Sequence, residues 1–155
     1  PVYLRFGRPK VPNFTDKKNS FVIGKGIKLR NGSDATIICT GHLVWESLVA
    51  SKELSNDGID CDVINIHTIK PLDKEIIINS IKKTNCVVTA EEHMINGGLG
   101  DSIAQLTSRH LPTPIEMVGV NDKFGESGKP HELLIKYGLD AKNIIKSVKK
   151  VIHRK

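Results

Sequence analysis

Three histidines, His42, His67 and His93, each stand just after a short apolar run, and Glu91 and Glu92 directly precede the last of them. Imidazoles and carboxylates gathered in one place can hold a metal or pass protons. If the apolar runs are parallel strands, all five side chains arrive at the carboxyl edge of one sheet, where open α/β folds bind their ligands. Their spacing is long-range, and no pair is locally fixed as in an HExxH helix. The plainer reading is ordinary loop or hydrogen-bonding histidines, so no metal ligand and no catalytic residue is assigned.

Gly97-Gly98-Leu99-Gly100 follows an apolar run and opens a helical pattern. Free N–H groups at a helix start suit an anion, so Gly97, Gly98 and Gly100 form a possible anion site. It is not the dinucleotide fingerprint, because the third glycine position falls on Ile103, and Asp101 sets a negative charge in the first turn. Tight strand-to-helix packing is the plainer explanation of the glycines. Gly125-Glu126-Ser127-Gly128-Lys129-Pro130 is not a P-loop: its first glycine is one residue too close, and Pro130 replaces the magnesium-binding hydroxyl. The strand ends Thr40-Gly41-His42 and Ile66-His67-Thr68 lack the aspartate of a receiver domain, and no G-x-S-x-G elbow occurs.

The net charge of +6 invites a nucleic-acid reading, but its distribution argues against one. Residues 141–155 hold Lys142, Lys146, Lys149, Lys150, Arg154 and Lys155 and no acid, which accounts for the whole excess. Cations suit the end of a helix, and no aromatic side chain is interleaved for base stacking. Cys39, Cys61 and Cys86 lie in apolar β-branched runs without CxxC spacing, which implies buried free thiols in a reducing, cytoplasmic setting. No apolar run approaches the ~20 residues of a membrane helix. Pro1–Arg5 has neither an initiator Met nor the apolar core of a signal peptide, and it reads as the middle of a strand, as in a fragment of a longer protein.

The elements that must position these residues alternate. Val2–Phe6, Val22–Leu29, Ala35–Thr40, Cys61–Ile66, Asn85–Ala90 and Ile115–Val118 read as strands. Helices are predicted from His42 to Asn56, over Asp73–Lys83 with Asp73 as N-cap, Leu99–His110, Pro130–Tyr137 and Ala141–Ile152. Residues 9–20, with two prolines and no periodicity, read as a linker. Alternation implies an α/β sandwich with a mainly parallel sheet. Taken locally, Asn31-Gly32 suggests a hairpin between the first two strands of the domain.

Val88-Thr89-Ala90-Glu91-Glu92-His93 followed by Gly97-Gly98-Leu99-Gly100 resembles the C-terminal domain of transketolase, and above all the C-terminal section of two-part transketolases. PVYLRFGR at Pro1–Arg8, TGHLVW at Thr40–Trp45, VINIHTIKPL at Val63–Leu72, VGVNDKFGESG at Val118–Gly128 and LIKYGLDAKNII at Leu134–Ile145 extend the resemblance in order along nearly the whole chain. Deoxyxylulose phosphate synthases and the beta subunits of 2-oxo-acid dehydrogenases share the domain. The Glu-Glu-His and Phe-Gly-Glu-Ser-Gly stretches look more like transketolase.

The resemblance implies a three-layer α/β/α domain with a five-stranded mixed sheet in the order 1-3-2-4-5, strand 1 antiparallel. That order overrides the hairpin and sets the switch point between Ala35–Thr40 and Asn85–Ala90, flanked by His42, Glu91, Glu92 and His93, which stand as crevice candidates only through it. It divides the chain into residues 1–8, the last strand of a missing middle, pyrimidine-binding domain; linker 9–20; and the C-terminal domain 21–155. The family transfers a two-carbon ketol unit between sugar phosphates, with thiamine diphosphate and a divalent cation held by the N-terminal and middle domains, outside this chain. Arg8 matches the arginine that contacts the substrate phosphate, although Gly7-Arg8-Pro9 departs from the common Ser-Arg-Gln pattern. The implied role is assembly with those domains into a dimer or higher assembly, the chain alone being inactive, with neither nucleic acid nor membrane as partner. The other readings are a stand-alone anion- or nucleotide-binding module and a metal-dependent hydrolase built on the three histidines.

Overall fold

The computed structural model describes residues 1–4, 7, 10–15 and 21–155. Five strands and five helices follow in order: β1 (Ile27–Arg30), β2 (Ala35–Cys39), α1 (Leu43–Asn56), β3 (Cys61–Asn65), α2 (Lys74–Thr84), β4 (Val87–Met94), α3 (Leu99–His110), β5 (Ile115–Val120), α4 (Pro130–Lys136) and α5 (Ala141–Ile152). The sheet runs β1-β3-β2-β4-β5. β1 is antiparallel to β3, and the remaining pairings are parallel. Val2–Leu4 are exposed and in no strand; Arg5 and Phe6 lie outside the described residues.

Side chains alternate across the central strands and feed two cores. Ile37, Val63 and Val88, aligned across β2, β3 and β4, pack with Ala50 and Leu54 of α1 and Ile144, Val148 and Val151 of α5. Ile38, Ile64 and Val87 face the other way, toward Ile77 and Ile81 of α2 and Leu99, Ile103 and Leu106 of α3. Helices therefore cover both faces, giving three layers. Among the described residues no helix is long and apolar enough to cross a membrane.

The hairpin does not form. β2 is buried along its whole length and needs neighbours on both sides, so the chain after β1 crosses over the start of β3. The Ser33 and Asp34 amides both donate to the Asp60 carbonyl, and the Gly32 amide donates to Asp62 Oδ1 at 2.7 Å. A Cβ on Gly32 would overlap the Cys61 backbone, so the turn glycine serves a crossing rather than a hairpin.

Asp62 is buried where this crossing meets α2. Its carboxylate accepts from Lys28 Nζ (2.8 Å), Lys83 Nζ (2.7 Å), Ser80 Oγ (2.5 Å) and the Gly32 amide. Burial pushes its pKa up, but the two ammoniums, the hydroxyl and the amide outweigh that and lower it to about 2. The network ties β1, β3 and α2 together.

Two boundaries move by more than two residues from the sequence expectation. β1 starts at Ile27 because the chain turns before it, with Gly24 at φ 84°. β4 runs on to Met94 and takes in Glu91, Glu92 and His93.

Candidate functional site

β2 and β4 are adjacent and parallel, so both deliver their ends to the carboxyl edge of the sheet. β2 is followed by Thr40, Gly41 and His42; β4 carries Glu91, Glu92 and His93 through its last turns. A crevice of about 630 Å³ opens there, lined among others by His42, Glu91, Glu92, His93, Gly97 and Gly98. It lies at the switch point, where β1–β3 continue to one side of β2 and β4–β5 to the other.

The polar groups of this crevice are largely committed to one another. His42 Nδ1 lies 2.6 Å from Glu92 Oε2, both partly exposed. His93 Nδ1 donates to the Met94 carbonyl at 2.9 Å and stands 4.0 Å from Glu91 Oε2. Glu91 is buried at 2% exposure, and its two oxygens accept the Leu99 and Gly100 amides at 2.7 Å each. Those amides are free donors at the start of α3, the positive end of that helix. The Gly97 amide donates to Asp101 Oδ2 at 2.6 Å.

The anion at the glycine-rich turn is thus the chain's own carboxylate. Gly98 fits the same device: a Cβ there would overlap the Glu91 carboxylate, so only glycine lets strand end and helix start approach this closely. An external phosphate would have to displace Glu91 and would meet Asp101 and Glu92 as it arrived.

His67 does not join the other two histidines. Its ring stacks on Phe21, with centroids 4.4 Å apart, and Nδ1 is 3.1 Å from Thr68 Oγ1. Among the described residues no group of three His, Cys, Asp or Glu side chains is placed to hold a metal ion. Arg8 lies outside the described residues. Its neighbour Gly7 sits against the His42 imidazole, where a Cβ would stand 3.3 Å from the ring.

Sequence reasoning missed a second cleft, of about 720 Å³, which shares Gly7, His42 and Glu92 with the first. Its walls are mainly apolar and include Phe14, Trp45, Leu134, Tyr137 and Leu139. The signal was present in the apolar positions of residues 133–139, but only the fold sets them opposite the start of α1.

The basic tail of α5 is held on the domain's own surface. Lys149 pairs with Asp57 at 2.7 Å and Lys150 with Glu116 at 2.8 Å. Arg154 also bonds Glu116, and Lys155 Nζ donates to the Asp34 carbonyl. The three cysteines are buried. Burial pushes the Cys39 and Cys61 thiols up to about 12 and raises that of Cys86.

Comparison with known proteins places this geometry. Residues 24–144 match the family "Transketolase, C-terminal domain". The chain is 42% identical over 155 residues to the 6-deoxy-6-sulfo-D-fructose transketolase subunit of Clostridium sp. (strain MSTE9), covering 100% of this chain and 48% of that one. It is 37% identical over 156 residues to the 1-deoxy-D-xylulose-5-phosphate synthase of Syntrophotalea carbinolica, covering 99% of this chain and 25% of that one. A solved split-gene transketolase, described as an inactive β4 tetramer, superposes with a TM-score of 0.90 at 40% identity, over 94% of this chain and 48% of that one. The chain spans half the length or less of these relatives. With sheet order, strand directions and family match in agreement, the chain belongs to the transketolase C-terminal domain family.

Proposed function

We propose that this chain is the C-terminal domain of a transketolase-type transferase that moves a two-carbon ketol unit between sugar phosphates. Its part is assembly: it packs on the preceding domains and supports the dimer or higher assembly in which the active sites form. The observation that carries this reading is the Glu91 carboxylate on the Leu99 and Gly100 amides. The most ready-made seat for a cofactor diphosphate at this sheet edge is filled from within.

Thiamine diphosphate with a divalent cation would supply the carbanion chemistry of the whole enzyme. The described residues do not fit that group: the helix start is taken, and the remaining crevice carboxylate, Glu92, is paired with His42. Cofactor and cation therefore belong to the preceding domains. Calorimetric titration of this chain with thiamine diphosphate and magnesium should give no heat of binding, while the full enzyme should bind and turn over. Micromolar binding by this chain alone would sink the reading.

Within it, residues 1–8 belong with the preceding domain of the full enzyme, and Arg8 is the arginine that meets the substrate phosphate. A hydrogen bond to a charged group is worth about 2 kcal/mol, so Arg8→Ala in the full enzyme should cost roughly 30-fold in kcat/KM for phosphorylated sugars. Non-phosphorylated substrates should change little. An equal effect on both classes would remove Arg8 from the site. The deoxyxylulose phosphate synthase reading, favoured by the 37% relative, predicts instead that the full enzyme forms 1-deoxy-D-xylulose 5-phosphate and transfers no ketol unit between sugar phosphates.

A further inference from the structure

Phe124 is 98% exposed. A whole phenyl ring in water is uncommon for a soluble domain, and aromatic side chains of this kind are enriched at interface centres. The loop that carries it is held in place. Tyr137 Oη donates to the Phe124 carbonyl at 2.9 Å and lies 3.1 Å from Glu126 Oε1. Lys136 Nζ closes on the other Glu126 oxygen at 2.7 Å. Asp122 takes a left-handed φ of 46°, a strained conformation for a residue with a side chain. A ring carried on a braced loop leaves less backbone freedom to be lost when a partner arrives, which favours an anchor.

The same edge shows where the partner comes from. Gly125 and Glu126, directly after Phe124, line the apolar cleft together with Gly7. Gly7 also lines the neighbouring polar crevice with Ile69, itself exposed, as is Met94 at the end of β4. Val2, Tyr3 and Leu4, which lead into Gly7, are exposed and apolar. The segment that enters this domain therefore arrives at the edge where Phe124, Met94 and Ile69 stand uncovered.

We infer that the loop of residues 121–129 is a docking element, with Phe124 as the anchor that seats in an apolar socket of the domain preceding residue 1. The inference rests on the proposed reading of the chain as one domain of a longer transketolase-type enzyme and names the contact by which it is held. A second copy of the chain is the competing occupant.

The three cysteines of this chain are buried, so once the accessible thiols of the remaining domains are replaced by serine, a single introduced thiol reports on coverage. In the full enzyme, Gly125→Cys, which keeps the Phe124 ring and has open space for its side chain, is compared with Ser108→Cys, which lies exposed near the far end of α3. The thiol introduced by Gly125→Cys should label at least about tenfold more slowly than that of Ser108→Cys, with no dependence on protein concentration. Phe124→Ala added to Gly125→Cys, which removes the anchor, and Tyr137→Phe added to Gly125→Cys, which removes the hydroxyl bracing the loop, should each speed labelling. Equal rates at the two positions would overturn the inference, and protection that vanishes on dilution would assign the site to a second copy and overturn it too. Ketol transfer by the wild-type enzyme tests the underlying reading separately: an active enzyme with an unprotected thiol refutes the docking contact alone.

Discussion

Glu91→Gln isolates the device at the centre of the carboxyl edge. The substitution keeps the shape of the side chain and removes its charge. In the native chain two carboxylate oxygens accept two amides at 2.7 Å. Glutamine can serve one amide with its single carbonyl oxygen, but its NH₂ group then faces the second amide, donor against donor. One charge-assisted hydrogen bond, worth about 1.5–3 kcal/mol, is lost. The favourable charge at the start of α3, worth about 0.3–1 kcal/mol, goes with it. Relief of the cost of burying a charge offsets part of this, so a net loss of about 2–3 kcal/mol is expected. For a domain of this size that lowers Tm by about 4–12 °C. The control is Glu92→Gln on the same strand. Its carboxylate is partly exposed and paired with His42, a contact worth about 0–1 kcal/mol. Thermal unfolding followed by circular dichroism at neutral pH measures both. Equal shifts, or no shift for Glu91→Gln, would show that the carboxylate does not cap the helix and would reopen the glycine-rich turn as a ligand site.

Asp62 gives a pH dependence of defined sign. Its folded pKa of about 2 lies below the ordinary 3.8, so its contribution is full above about pH 4 and is lost as pH falls toward 2. That contribution is about 2 kcal/mol. Urea unfolding should show the loss over that range in the wild type, and the loss should be absent from the pH profile of Asp62→Asn; identical profiles would refute the assignment. Cys39, Cys61 and Cys86, all buried, should react slowly with a thiol reagent in the native protein and quickly in denaturant. Rapid native labelling of all three would contradict the two-faced packing of β2, β3 and β4.

The elements were legible wherever one stripe or one run decides them. α3 and α5 occupy the expected residues because Leu99, Ile103 and Leu106, and Ile144, Val148 and Val151, form single apolar faces. The Asp73 cap was legible for the same local reason: its side chain accepts the Ile76 amide. Strand order was not written in periodicity. It depends on contacts between distant residues, such as Gly32 with Asp62, and Asn31-Gly32 by itself points to a hairpin. The order came from the resemblance, which carries such long-range information. His67 follows β3 at the same sheet edge but stands apart from the other two histidines, because its ring partner, Phe21, comes from the segment before β1 and is far away in sequence.

Several of the candidates were legible as neighbours at one sheet edge, but their pairing was not. His42, Glu91, Glu92, His93, Gly97 and Gly98 do line one crevice. What a list of side chains could not convey is that the partners of Glu91 are backbone amides, which every residue but proline carries and no letter of the sequence marks. A glutamate at a strand end reads as the start of a loop, whereas here it is buried because the amides of Leu99 and Gly100 neutralise the cost of burying it. The turn resembles an anion site because it is one. The glycine that admits the close approach, the helix start that favours negative charge and the glutamate eight residues before Leu99 form a single unit. A glycine-rich strand-to-helix turn argues for an external phosphate only when no carboxylate at the end of the same strand can reach the helix start. By that test this turn locks β4 to α3, and the domain's contribution to an enzyme is sought on its surface, where Phe124 stands.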